Sequence, residues 1–214
     1  MSQSKVTTEF IYEPVQAGLA EVEARLKKLG SEGHQQIANL LGHLTKSPGK
    51  RVRPAITLLA SRFHSEDAGD TPVTMATAVE LLHMASLVHD DTVDDSPVRR
   101  GIATISSIWG RNVAVLLGDY VFATSGVFVS DTGNVRVVRR FSETIRELAA
   151  GELMEIFGAF KLDHTYEQYK ERIYNKTASL FRTAAESGAI LSGAPETVIH
   201  SLTQYGYNLG MAFQ

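Results

Sequence analysis

From Pro72 to Asp94 the chain offers a helix with nothing to interrupt it, and that run constrains the fold more than any other stretch. Asp70 or Thr71 is placed to cap it. Pro72 sits at its first position, where the missing N–H costs nothing. The helix reaches Asp94 or Asp95, roughly 23 residues and so roughly 34 Å long at 1.5 Å per residue. The rest of the sequence supplies partners for it. From about Thr7 to Leu29 the apolar residues Phe10, Val15, Leu19, Val22, Leu26 and Leu29 fall near one helical face, and Gly30 ends the run. A second helix spans about Glu32 to Leu44, with Ile37, Leu40, Leu41 and Leu44 apolar. After the turn Ser47-Pro48-Gly49, the string Lys50-Arg51-Val52-Arg53-Pro54 opens a helix that runs to about Phe63, followed by a polar loop at Glu66–Asp70. Further helices are expected at about Thr104 to Trp109, Arg111 to Ser130, Val135 to Phe160, Tyr166 to Leu191, and from Pro195 to the end. Turns at Asp131-Thr132-Gly133-Asn134, Leu162–Thr165 and Gly193-Ala194 separate them. Nothing alternates with strand period for more than a few residues, and no repeat or linker divides the chain. The expectation is one all-α domain of long packed helices over residues 1–214. Gly118, Gly126, Gly151, Gly158, Gly188, Gly206 and Gly210 fall inside these helices, at about 1 kcal/mol each relative to Ala. Close helix packing explains most of them, and a helical cage around a ligand would use the same feature.

The long helix ends in ELLHMASLVHDDTVDDSPVRRG, Glu80 to Gly101. Asp90 and Asp94 are four residues apart and share a face; His83, seven before Asp90, lies on the same stripe. Asp91 is one step round. Like charges at this spacing repel, and acidic residues at a helix C-terminus oppose its dipole. A divalent cation would reverse both effects. Oxygen-only ligands point to a hard ion such as Mg²⁺, which takes a few carboxylates plus phosphate oxygens and water. Arg99 and Arg100 beside it suit a phosphorylated substrate. The plainer reading is a solvated acidic helix end followed by a basic turn.

Gly49-Lys50-Arg51-Val52-Arg53-Pro54 sets three cations at a helix N-terminus, where positive charge is unfavourable. A bound anion makes the position favourable, because free N–H groups then add to the cations. A surface basic turn is the competing reading. A net charge of −3 gives no reason to expect nucleic acid as a partner. Zero Cys excludes disulfides and thiolate metal sites and fits a cytoplasmic protein. MSQSKVTTEF has no apolar core of a signal peptide. The most apolar stretch, Val113–Leu117, is cut short by Gly118-Asp119, so no membrane span is expected.

DDTVD at Asp90–Asp94, with VRRG after it and His83 before it, resembles the first aspartate-rich motif of the trans-isoprenyl diphosphate synthases, or polyprenyl synthetases. A lone DDxxD is weak, since terpene cyclases carry similar strings. Here GKRVRP, Lys176-Thr177 and the closing Gly210-Met211-Ala212-Phe213-Gln214 extend the pattern in the family's order over nearly the whole chain. The resemblance implies an isoprenoid-synthase-type bundle around a central cavity. It implies a prenyltransferase of isoprenoid biosynthesis that condenses isopentenyl diphosphate with an allylic diphosphate. Asp90 and Asp94 are expected to hold Mg²⁺, with Asp91 and Lys176 beside them at the reacting diphosphate. Lys50, Arg53, His83 and Arg100 are expected at isopentenyl diphosphate, Arg99 and Thr177 at the allylic one, and Arg51 and Gln214 as further substrate-binding residues. Ala85 and Ser86, one turn before Asp90, are small where family members with short products carry aromatics, so a medium or long product is expected. The family also dimerises through helices corresponding to about Thr104–Ser130, rich here in Val113, Leu116, Val121, Phe122 and Phe128; a homodimer or a dimer with a related chain is expected. The sequence stops at Gln214, ahead of the family's second aspartate motif. The C-terminal helices of the fold are therefore expected to be missing, and the chain alone is expected to have little activity. Two alternatives stay open, a catalytically silent fragment or partner subunit and a class I terpene cyclase.

Overall fold

The computed structural model describes residues 7–31, 34–46, 49–65, 69–161, 163 and 165–214. The Ser47-Pro48 turn, most of the Glu66–Asp70 loop, and Glu32 and Leu162 at the expected element ends lie outside them. The described helices follow in order as α1 (Thr8–Tyr12), α2 (Gln16–Leu29), α3 (Gln35–Leu44), α4 (Val52–Arg62), α5 (Thr71–Val93), α6 (Ile105–Trp109), α7 (Arg111–Asp131), α8 (Val135–Gly158), α9 (Tyr166–Ile173), α10 (Ser179–Leu191) and α11 (Glu196–Phe213). A 3₁₀ turn, Glu13–Val15, breaks the first expected helix around Pro14, which cannot donate to the helical ladder. A π-helical turn, Tyr174–Ala178, joins α9 to α10.

Two strands were not legible in the sequence. β1 (Val98–Arg99) and β2 (Ile102–Ala103) pair antiparallel through Arg100-Gly101. Both linking residues have positive φ, 52° and 81°, the pattern of a primed two-residue hairpin turn. Two residues per strand are too few to show an alternation.

Local chemistry sets the element ends. Asn134 accepts from the Arg136 and Val137 amides at 3.1 and 3.2 Å and caps α8. Thr104 accepts from Ser107 to start α6. Thr165 and Gln168 form a reciprocal capping box at α9. Asp70 occupies the cap position of α5, and its side chain makes no cap hydrogen bond there.

Helix α5 lies at the centre. One of its sides joins Met75, Ala78, Val79 and Leu82 to Phe141 of α8 and Leu180, Phe181 and Ala184 of α10. The other joins Ala76, Leu81, Met84, Ala85 and Val88 to Val22 and Leu26 of α2 and Ala114, Leu117 and Val121 of α7. A helix apolar all round must be covered on all sides. Burying each of Phe141 and Phe181 contributes roughly 1.5–3 kcal/mol. Side chains are missing where backbones meet: an added Cβ would press on the backbone of another element at Gly151, Gly188, Gly206 and Gly210, and on the His89 ring at Gly118, while Gly126 faces open space.

The expectation that no segment is apolar enough to span a bilayer is corrected. By length and composition α5 and α7 both are. The apolar window of α5 is 72% buried, because α5 is the core helix, and that accounts for its hydropathy without a membrane. In α7 only 33% of the window is buried. Leu117 and Val121 face α5, whereas Val115, Leu116, Tyr120 and Val127 face outward, and a single Asp119 does not lower the mean enough.

Candidate functional site

A cavity of about 450 Å³ opens where the C-terminal half of α5, the turn before α4 and the β1–β2 hairpin meet. Lys50, Arg51, Arg53, His83, Asp91, Arg99 and Arg100 line its polar side, and Met84, Leu87, Val88 and Phe213 contribute its apolar wall. Five cations converge on two carboxylates of α5, Asp91 and, deeper in, Glu80. This is an anion site by charge.

Arg53 is the most constrained of the cations. Its guanidinium lies 4.6 Å from the centre of the Phe181 ring, and Phe181 packs on Phe213 with ring centres 5.1 Å apart. Its Nε is buried without a hydrogen-bond partner. Burial pulls its pKa down to about 10, against the attraction of Glu80. A buried, unpartnered donor costs stability unless something arrives to use it. His83 is held neutral: burial first, then Arg53, Arg100 and Arg99, push its pKa down to about 3.

Arg51 lines the cavity but is tied inward. Its Nε donates to Glu23 and its Nη1 donates to Glu80 Oε1 at 2.6 Å, so it faces inward and its charge is already matched. Burial opposes the charge, and the two carboxylates more than offset that. It lines the cavity as an anchor, while Lys50 and Arg53 present the cations.

The carboxylates at the end of α5 divide between two sides. Asp91 accepts from Arg99 Nε at 2.7 Å inside the cavity. His83, Leu87 and Asp91, a four-residue row, line that cavity and Asp90 does not, so the expected His83–Asp90 stripe is not the one the cavity uses. Asp90 belongs to a second cluster towards α8 and the π turn. Burial and then Glu152 raise its pKa to about 7, with Lys176 and Arg99 pulling the other way. Lys176 Nζ pairs with Glu152 at 3.1 Å and with Glu155. Asp94 caps α5 at the exposed end. Thr177 donates to the Gln214 side chain at 2.7 Å, bringing together two expected site residues that are 37 positions apart.

Glu152 and Glu155 are site residues that sequence reading missed. They sit within α8 in a helix of mixed charge, and only the fold sets them against Lys176. Phe181 was missed likewise, and Phe213, quoted only as part of the closing motif, was given no place in the site. Ser86 turns its hydroxyl back to the His83 carbonyl at 2.9 Å, and Ala85 is fully buried among α2 and α7 side chains.

The donor set near Asp90 is oxygen-only, and the raised pKa marks an anion without enough compensation. Both features fit a hard divalent cation. Among the described residues, however, no three His, Asp or Glu groups are close enough to hold one by themselves. The remaining ligands would have to come from a substrate.

A family model for polyprenyl synthetase matches residues 34–214. A prenyl transferase of Synechocystis sp. is 40% identical over 211 residues, which is 98% of this chain and 65% of that protein. A decaprenyl diphosphate synthase from Rhodobacter capsulatus superposes with a TM-score of 0.92 at 38% identity, covering 97% of this chain and 64% of the other. A polyprenyl synthase from Caulobacter crescentus, complexed with calcium and isoprenyl diphosphate, gives 0.91 at 34% identity, covering 100% and 65%. The chain thus spans a little under two thirds of the length of these relatives.

Proposed function

This chain belongs to the polyprenyl synthetase family, and on that premise we infer that its protein elongates a trans-polyprenyl diphosphate by condensing isopentenyl diphosphate with an allylic diphosphate. One observation carries the reading. The end of α5 separates two clusters of opposite charge, the cationic cavity lined by Asp91 and an acidic side where Asp90, Glu152 and Glu155 surround Lys176, with Arg99 acting on both. One diphosphate suits the cationic cavity directly and a second suits the acidic side in company with a divalent cation, whereas a terpene cyclase, with a single diphosphate substrate, has no use for the pair Lys50 and Arg53.

Lys50, Arg53, His83 and Arg100 hold the diphosphate of isopentenyl diphosphate in this reading, with the unpartnered Nε of Arg53 as a donor in waiting. Lys176, Arg99, Thr177 and Gln214 orient the allylic diphosphate. Together with that diphosphate, Asp90 and Asp94 would hold Mg²⁺, a group that would supply charge neutralisation at the leaving diphosphate. The allylic C–O bond breaks, the double bond of isopentenyl diphosphate attacks the resulting cation, and a proton leaves to the diphosphate. Cationic side chains placed where the diphosphate charge grows lower the barrier, and Met84, Leu87, Val88 and Phe213 keep water from the cation.

Small Ser86 beneath Asp90 favours a product longer than fifteen carbons. The outward apolar face of α7 favours a dimer with a second copy or a related chain, and the absence of Cys favours the cytoplasm. The functional test uses the protein with labelled isopentenyl diphosphate, farnesyl diphosphate and Mg²⁺. Label appearing in longer prenyl alcohols after phosphatase treatment supports the reading. Hydrocarbon formed from farnesyl diphosphate alone supports a cyclase.

A further inference from the structure

The turn that carries Lys50 and Arg53 does not hold itself in place. Arg51 closes it in the left-handed region, φ 49° and ψ 36°, which a non-glycine residue keeps only when its surroundings determine it. Those surroundings are specific. Arg51 is gripped by Glu23 of α2 on Nε and by Glu80 of α5 on Nη1. The Tyr12 phenol of α1 donates to the Lys50 carbonyl at 3.1 Å. At Gly49 an added Cβ would stand 2.9 Å from Arg51 Nη1 and 3.6 Å from Glu80, so the turn is packed against its own anchor. Tyr12 and Glu23 precede residue 34, where the family match begins.

We propose that Tyr12 and Glu23, on the N-terminal helices, are positioning residues for the diphosphate cavity, holding the Gly49–Arg53 turn in the backbone path that presents Lys50 and Arg53 to an anion. The proposal rests on the reading of that cavity as the isopentenyl diphosphate site. Neither side chain needs to touch the ligand. Arg51 is the intermediary: its charge is spent on Glu23 and Glu80, and its conformation fixes the direction in which residues 50 and 53 project. Glu23 is the informative member because it is anionic. If it acted only through its field, removing its charge beside a cationic cavity would strengthen anion binding. If it positions Arg51, removing the charge releases the turn and weakens binding. The two roles predict opposite signs.

The experiment is calorimetric titration of isopentenyl diphosphate in EDTA into the wild-type chain, Glu23→Gln, Glu23→Asp and Tyr12→Phe. A parallel titration uses a non-hydrolysable allylic diphosphate analogue with Mg²⁺. Loss of a charged hydrogen bond predicts about tenfold weaker isopentenyl diphosphate binding for Glu23→Gln, and loss of a neutral one about threefold for Tyr12→Phe. Glu23→Asp, which keeps the charge, should recover part of the loss. Allylic binding should stay within about twofold, because it draws on the other side of α5, and general loosening of the fold would lower both affinities together. Unchanged or tighter isopentenyl diphosphate binding in Glu23→Gln overturns the proposal, as does a parallel loss at both sites. No binding by the wild-type chain overturns the cavity assignment itself, and this inference with it.

Discussion

Gly151 of α8 and Lys176 of the π turn meet backbone to backbone: a Cβ on Gly151 would stand 2.8 Å from the Lys176 nitrogen and 3.0 Å from the Asn175 carbonyl carbon. That contact lets Lys176 reach Glu152 and Glu155 on the same helix. Backbone cannot yield as a side-chain tip can. Gly151→Ala should therefore cost about 1–3 kcal/mol of stability by overpacking. It should also weaken the allylic analogue by displacing Lys176. A urea midpoint and an affinity both equal to wild type would contradict this.

His83 gives a pH dependence of known sign. The folded protein holds its pKa near 3, while the unfolded chain has the ordinary 6.5. Below pH 6.5 the unfolded state binds a proton that the fold refuses. The stability due to neutral His83 is thus complete above pH 6.5 and is lost as pH falls towards 3, by roughly tenfold in the folding equilibrium per pH unit. Urea midpoints of wild type and His83→Gln should run parallel above pH 7 and diverge below 6.5, with the variant less acid-sensitive. Parallel curves down to pH 4 would refute the shift.

Leu116, Tyr120 and Val127 stand 68%, 45% and 60% exposed on the outer side of α7. A stripe of this kind on a helix whose other side is core is suited to a subunit contact. Light scattering should give twice the chain mass for wild type and the chain mass for Leu116→Glu. A monomeric wild type at micromolar concentration would remove the dimer.

Product length should respond to Ser86, one turn below Asp90. Ser86→Phe is expected to shift the product distribution of the elongating enzyme towards shorter chains. Ala85→Phe is the poorer probe, since Ala85 is fully buried against α2 and α7 and a ring there would strain the core. An unchanged distribution in Ser86→Phe would show that α5 does not set the limit.

What the sequence made legible follows from periodicity and punctuation. Ends marked by a cap or breaker, such as Asn134, Thr104 and Pro195, fall within a residue or two of expectation. The long run from Tyr166 to Leu191 was expected to be uniform, yet it carries a π turn at Tyr174–Ala178. No residue there is a breaker, and the turn packs its Asn175 and Lys176 backbone against the bare Cα of Gly151 on a different helix, α8. Lys50, Arg53, His83 and Arg100 were expected together at one diphosphate and line one cavity, while Asp91 and Arg99, expected at the other diphosphate, line that same cavity. The inward turn of Arg51 depends on Glu23 and Glu80, 28 and 29 positions away, and the parting of Asp90 from Asp91 depends on what α8 places beside each. Composition and spacing carry no record of such long-range pairings.

The central claim is that the end of α5 binds a divalent cation only in company with a diphosphate. The direct measurement is calorimetric titration of Mg²⁺ into the chain, alone and with a non-hydrolysable allylic diphosphate analogue, repeated with Asp90→Asn. Because Mg²⁺ is held weakly by two carboxylates and needs phosphate oxygens to complete its shell, the affinity should rise at least about tenfold with the analogue. Asp90→Asn should abolish that gain. Equal Mg²⁺ affinity with and without the analogue, or an undiminished gain in Asp90→Asn, would contradict the account.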